Sequence, residues 1–149
     1  MKLSLKMIKK ITTECQSISQ ISDLEHKYFS APLTENELIK MGQNDIYEIL
    51  ALEDNNRVLA YIAATVGPYE CQIIKIASAE QKQGYGKEIL GAFIERHPGT
   101  KICLEVRESN KAAQGLYTCK GFVTDGVRKN LYDSPLENGI IMHLDNEGT

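Results

Sequence analysis

The run Gln81-Lys82-Gln83-Gly84-Tyr85-Gly86-Lys87 constrains this chain more than any other stretch. It follows a strand-like run at 69–77 and opens a helix-like run at 84–96, so two glycines stand at the mouth of a helix. Glycine tolerates positive φ and has no Cβ to hold a ligand away from the backbone. The first turn of a helix presents N–H groups without internal partners and a partial positive charge. A strand ending in such a turn predicts an anion site, with a phosphorylated ligand as the expected occupant. The alternating run at 101–107 completes a strand–helix–strand unit whose two strands should be parallel neighbours. Two familiar phosphate loops do not fit. In the Walker A pattern Ser or Thr follows Gly-Lys, but Glu88 follows Gly86-Lys87 and Gln81 stands where the first glycine belongs. The GxGxxG pattern needs a third glycine where Ile89 stands.

The rest of the chain reads as one domain spanning residues 1–149. A first strand is expected at 5–11. A helix at 17–29 carries Ile18, Ile21, Leu24 and Tyr28 at helical spacing, and Pro32 follows it. Thr34 and Glu37 form a capping-box pattern opening a short helix to Met41. Strands at 46–53 and 57–66 flank the turn Asp54-Asn55-Asn56, and with 69–77 they predict an antiparallel meander. A helix is expected at 109–120, with Ser109 as N-cap and Gly121 as its stop. Strands at 122–128 and 139–144 close the chain. The expected fold class is α/β, a mixed and mostly antiparallel central sheet with flanking helices.

Composition narrows the function classes. Of the 149 residues 42% are hydrophobic and 25% charged, which suits a globular domain rather than a disordered or fibrous chain. A net charge of −3 argues against a nucleic-acid partner held by bulk electrostatics. Cys15, Cys71, Cys103 and Cys119 form no CxxC pair, and His26, His97 and His143 are isolated, so no metal site is expected. Reduced cysteines, the lack of a membrane-length apolar run and a polar N-terminal segment lead to the expectation of a cytoplasmic protein with no membrane partner.

Other motifs surround the loop in a recognisable order. Gln81, Gly84 and Gly86 satisfy Gln/Arg-x-x-Gly-x-Gly/Ala. Downstream stand Leu104-Glu105-Val106-Arg107-Glu108-Ser109-Asn110-Lys111-Ala112-Ala113, then Leu116-Tyr117 and Gly121-Phe122, then Arg128-Lys129-Asn130-Leu131-Tyr132, and Ile140-Ile141-Met142. Across 73–144 this series resembles the GNAT family of N-acetyltransferases, closest to its RimI-like branch acting on protein N-termini. The resemblance implies acetyl-CoA as co-substrate and a splayed parallel strand pair. It implies main-chain contacts from Ile76, Ala77 and Ser78 to the thioester and pantetheine arm. It makes the loop Gln81, Lys82, Gln83, Gly84, Tyr85, Gly86 and Lys87 the pyrophosphate cradle, and Asn110 a further CoA contact. Leu33 departs from the family's tryptophan, and the connection Ser78-Ala79-Glu80 is short for the family.

Acetyl transfer needs a neutral amine, a polarised carbonyl and a proton for the departing thiolate. Alternation along 101–107 puts Cys103, Glu105 and Arg107 on one face, and Glu105 is expected among core-like residues. By the resemblance Glu105 is the general base and Tyr117 the general acid. Taken alone, Glu105 also reads as a strand carboxylate paired with a neighbouring cation, and Tyr117 as a core aromatic. Glu35, Glu37, Glu105 and Glu108 are candidates to receive a cationic peptide. The expected acceptor is a protein N-terminus, such as that of ribosomal protein S18. The alternatives are a small-molecule amine, or a non-catalytic acyl-CoA-binding module. The expected assembly is a monomer or weak dimer.

Overall fold

The computed structural model describes residues 6–147. Leu5, the first residue of the expected first strand, lies outside them. In chain order the elements are β1 (Lys6–Lys10), α1 (Gln16–Tyr28), α2 (Glu35–Gly42), β2 (Tyr47–Asp54), β3 (Arg57–Thr65), β4 (Glu70–Ser78), α3 (Tyr85–Arg96), β5 (Thr100–Arg107), α4 (Lys111–Cys119), β6 (Val123–Tyr132) and β7 (Glu137–Asn146). The strands form a seven-stranded sheet in the order β1-β2-β3-β4-β5-β7-β6.

Local chemistry explains most of these boundaries. Asn55 and Asn56 both take positive φ, at 52° and 67°. A tight β2–β3 hairpin needs that conformation, and Asn tolerates it. The capping box of α2 is complete: Thr34 Oγ1 accepts the Glu37 N–H at 3.2 Å, and Glu37 Oε1 accepts the Thr34 N–H at 3.2 Å. The N-cap of α4 is Asn110, not Ser109. Asn110 Oδ1 accepts the Ala113 N–H at 3.1 Å. Ser109 instead gives its N–H to Glu137 at 2.6 Å, which draws it out of the capping position. The last two strands run longer than 122–128 and 139–144. The polar stretch Arg128-Lys129-Asn130 hides β6 from an alternation test, yet pairing with β7 carries it on to Tyr132 across an irregularity.

Strands β2 and β3 are buried on both faces, so their sequences read as nearly continuous apolar runs. Leu50, Leu52, Ala60 and Ile62 join Ile89, Leu90 and Phe93 of α3 in one apolar cluster. Ile49, Ala51, Val58 and Tyr61 join Ile18 and Ile21 of α1 and Leu38 of α2 in a second. The second cluster has no member from β5, β6 or β7. That half of the α1/α2 side of the sheet is therefore open.

The expected parallel neighbours are present, and they part company. β4 and β5 pair in parallel from Glu70↔Lys101 to Ile73↔Leu104. Beyond that point β4 continues to Ser78 against β3 alone. The β3–β4 register shifts between Ala63 and Ala64, opposite Ile73 and Lys75, which leaves Ile74 as the extra residue. A bulge of this kind bends its strand and increases its twist. The bend coincides with the last β4–β5 pair, and a wedge opens between the two strands.

A charge cluster fastens the far end. Glu48 of β2 is 4% exposed. It accepts two hydrogen bonds from Arg96 at 3.0 Å and lies 2.9 Å from His97 Nε2, at the C-terminal end of α3. Burial alone would raise its pKa. The hydrogen bonds from His97 and Arg96 outweigh burial and hold the carboxyl at about 2, against 4.5 for a free side chain. A depressed carboxyl stabilises the fold above its unfolded pKa and loses that contribution as pH falls toward its folded pKa. Between pH 6 and pH 3 this group should cost the fold roughly 2 kcal/mol. Urea unfolding at the two pH values measures the loss, and Glu48→Gln should be less stable at pH 6 while losing less on acidification.

Candidate active site

A cavity of about 430 Å³ lies where β4 runs on past its last pair with β5. Its wall is drawn from separated parts of the chain: Ile76, Ala77 and Ser78 at the end of β4, the glycine loop, and Asn110, Ala113 and Leu116 of the α4 region. Of the loop residues, Gln81, Lys82, Gly84, Tyr85, Gly86 and Lys87 line it, while Gln83 stands in the loop without lining it. The structure thus brings ten of the expected cofactor residues to one cavity: the three at the strand end, six in the loop, and Asn110.

The loop's conformation follows from its glycine. Gly84 is the N-cap of α3 at φ +80°, and a Cβ built there would meet no atom within 4 Å. The first helical bond runs from the Glu88 N–H to the Gly84 carbonyl at 3.0 Å. The N–H groups of Tyr85, Gly86 and Lys87 therefore precede the helical ladder. They sit at the positive end of the helix dipole, beside Lys82 and Lys87. Lys82 also takes a left-handed φ of 65°. The short connection 78–80 is held to β3 by the Ala79 N–H bonded to the Leu59 carbonyl at 2.8 Å and by an Arg57–Glu80 ion pair. Asn110 combines a helix cap with a place in the cavity wall, because its Oδ1 is spent on Ala113 while its amide N–H groups remain.

The wall also includes two residues that sequence reasoning placed only in a helix. Tyr28 and Phe29 end α1 and close the cavity from the α1 side. The available signal was an aromatic pair at a helix terminus, and Tyr28 remains 38% exposed.

Glu105 and Tyr117 do not line this cavity. The expectation that Glu105 lies among core residues is corrected. Ile102, Leu104 and Val106 face the first apolar cluster. Glu105 faces the open half of the opposite side and pairs with Arg128 at 3.0 Å. Tyr117 is 4% exposed, on the α4 side, with its ring 5.6 Å from that of Phe122. Burial, then the nearby Tyr132, pushes its phenol well above the ordinary tyrosine range, so it stays protonated. Tyr132 is raised in turn by burial and by Glu105. Glu37 and Glu108 are already engaged, with the Thr34 N–H and with Asn138 respectively. Among the described residues no group of His, Cys, Asp and Glu is arranged to hold a metal ion. No described helix is long and apolar enough to cross a membrane.

Gly84→Ala tests the loop. It should cost about 1 kcal/mol through the left-handed backbone alone. Its new methyl would enter open space beside the cavity, so acetyl-CoA affinity should fall by more than the stability loss predicts. Thermal melting and calorimetric titration measure the two effects separately.

Comparison with known proteins agrees with this geometry. The model of the Acetyltransferase (GNAT) family matches residues 15–122. The [ribosomal protein bS18]-alanine N-acetyltransferase of Haemophilus ducreyi is 31% identical over 137 residues, covering 87% of this chain and 94% of that protein. Its Escherichia coli K12 counterpart is 30% identical over 140 residues, covering 89% and 92%. The crystal structure of the ribosomal-protein-S18-alanine N-acetyltransferase from Escherichia coli superposes with a TM-score of 0.81 at 27% identity, covering 96% of each chain. The chain thus belongs to the GNAT family of acetyl-CoA-dependent N-acetyltransferases.

Proposed function

We propose that the protein transfers the acetyl group of acetyl-CoA to the N-terminal α-amine of a protein, with the alanine terminus of ribosomal protein bS18 as the leading acceptor. The observation that carries this reading is the wedge. The cavity at the end of β4 suits CoA, and Glu105, exposed on the neighbouring strand, marks the groove that this reading gives to the acceptor. The S18-directed relatives supply the acceptor.

In this reading the free N–H groups of Tyr85, Gly86 and Lys87 receive the pyrophosphate, with Lys82 and Lys87 as flanking charges. The unpaired edge of β4 at 76–78 receives the pantetheine arm and polarises the thioester carbonyl. An N-terminal amine has a pKa of about 8, so most of it is protonated at neutral pH. Glu105 takes a proton from the amine, directly or through water. The neutral nitrogen bonds to the carbonyl carbon, the carbon–sulfur bond breaks and the Tyr117 phenol protonates the departing sulfur, while the second proton leaves the nitrogen and by way of water restores the phenol, the first passing from Glu105 to solvent. Glu105 approaches from the open side of the sheet and Tyr117 from the α4 side. A reacting centre in the gap would lie between them.

Glu105→Gln should lower kcat by a factor on the order of 100 while leaving acetyl-CoA binding intact. Tyr117→Phe should lower kcat more than it weakens acetyl-CoA binding. Thiol release with an Ala-starting peptide of the bS18 N-terminus, run beside a polyamine panel, measures both. Unimpaired acetylation by Glu105→Gln would remove Glu105 from the role of base. Turnover of polyamines but not of the peptide would remove the proposed acceptor.

A further inference from the structure

Each strand of the splayed pair carries a cation on the α1/α2 side of the sheet close to where the two strands part. Lys75 lies on β4 just past the bulge, and Arg107 on β5 two residues beyond Glu105. Lys75 Nζ donates to the Ala31 carbonyl at 3.2 Å, sits 3.6 Å from Glu25 Oε1 and stands 4.0 Å from the centre of the Phe29 ring. The Arg107 guanidinium donates to the carbonyls of Asp133 and Pro135, each at 3.0 Å. It also pairs with Glu137 at 3.2 Å and stacks 4.5 Å from the Tyr132 ring centre. The two cations make the same kinds of contact: loop carbonyl, carboxylate and aromatic ring. Lys75 ties down the segment 29–34 between α1 and α2, and Arg107 ties down 133–136 between β6 and β7.

The carboxylates are anchored in their turn. Glu25 is fully buried. Its Oε2 accepts the Tyr61 hydroxyl, and its Oε1 accepts the Leu33 N–H at 2.9 Å. Glu137 accepts the Ser109 N–H at 2.6 Å. Each loop is therefore linked through one cation to the strand on its own side of the wedge. The carbonyls of Ala31, Asp133 and Pro135 lie in loops, outside the strand ladders, and a charged donor holds such groups more strongly than a neutral one. In the strand order β4-β5-β7, Glu105 on β5 stands between the strand that carries Lys75 and the strand that the second tied loop leads into.

We propose that Lys75 and Arg107 are positioning residues for the acceptor: two cationic latches that hold the loops on either side of Glu105 at one separation. This rests on the acceptor groove assigned above. Arg107 has the more demanding geometry, since its planar fork serves two carbonyls at once and an ammonium cannot reproduce that.

The test uses Arg107→Met, Arg107→Lys and the pair Glu25→Gln with Lys75→Met, which avoids stranding a buried carboxylate. Three measurements are made on each: acceptor kinetics with the amine that the wild-type protein acetylates, acetyl-CoA affinity, and hydrogen exchange of the loop amides. Arg107→Met should raise the acceptor KM about tenfold with kcat nearly unchanged, the signature of lost acceptor binding. Acetyl-CoA affinity should hold, and exchange should quicken in 133–136 but not in 29–34. Arg107→Lys should lie between wild type and Met, and it carries the test if the Met variant loses its fold. The double variant should quicken exchange in 29–34 and raise the acceptor KM. An unchanged acceptor KM, an equal loss of acetyl-CoA affinity, or loosening spread through β5 and β7 would overturn the latches. A wild-type protein that acetylates no peptide terminus would overturn the acceptor reading alone. Loop exchange would still decide the latches, because unchanged exchange in both segments overturns them.

Discussion

The structure depends on the early end of pairing between β4 and β5. Two adjacent parallel strands normally share a ladder along their length, and here the ladder stops at Ile73↔Leu104. The extra residue at Ile74 turns β4 away while β3 still supports it on its other edge. The backbone polar groups thus released on β4 need partners. The end of β4, the glycine-capped start of α3 and Asn110 line one cavity there. Cavity, loop and groove all follow from that separation.

Charged side chains do two different jobs around this frame. At the far end, Glu48 gathers Arg96 and His97 and fixes the C-terminal end of α3, the helix whose N-terminal end carries the glycine loop. Near the wedge, Lys75 and Arg107 fasten loops rather than regular elements. Loops lack the ladder hydrogen bonds that hold strands, so a charge-assisted contact has most to add there. The same side of β5 carries Glu105 paired with Arg128 in the open, and a carboxylate of that kind is accessible to a substrate amine.

Much of the fold was legible because its signals are local. The Asn55-Asn56 turn, the Thr34–Glu37 box and the glycine loop are each written within a few residues. The strand–helix–strand unit follows from the handedness of crossovers. The cavity wall was legible for a related reason, since most of its residues fall between 76 and 87. Other features were not legible. Ser109 and Asn110 are both good caps, and a distant carboxylate, Glu137, decides between them by taking the Ser109 N–H. The exposure of Glu105 depends on which half of the sheet the helices leave uncovered. Tyr28 and Phe29 look like any amphipathic helix end until α1 is docked beside β4.

By itself, then, the sequence determined the elements, the parallel unit and the glycine-capped opening of α3, because backbone φ preferences, caps and turn chemistry act over a few residues. Tertiary structure decided that β7 inserts between β5 and β6. It also decided that Glu25 of α1 meets Lys75 of β4, and that Glu105 is exposed while Tyr117 lies buried. These outcomes turn on which faces are covered and which strand edges are satisfied. Both are settled by contacts between residues far apart in the chain, which no local pattern encodes.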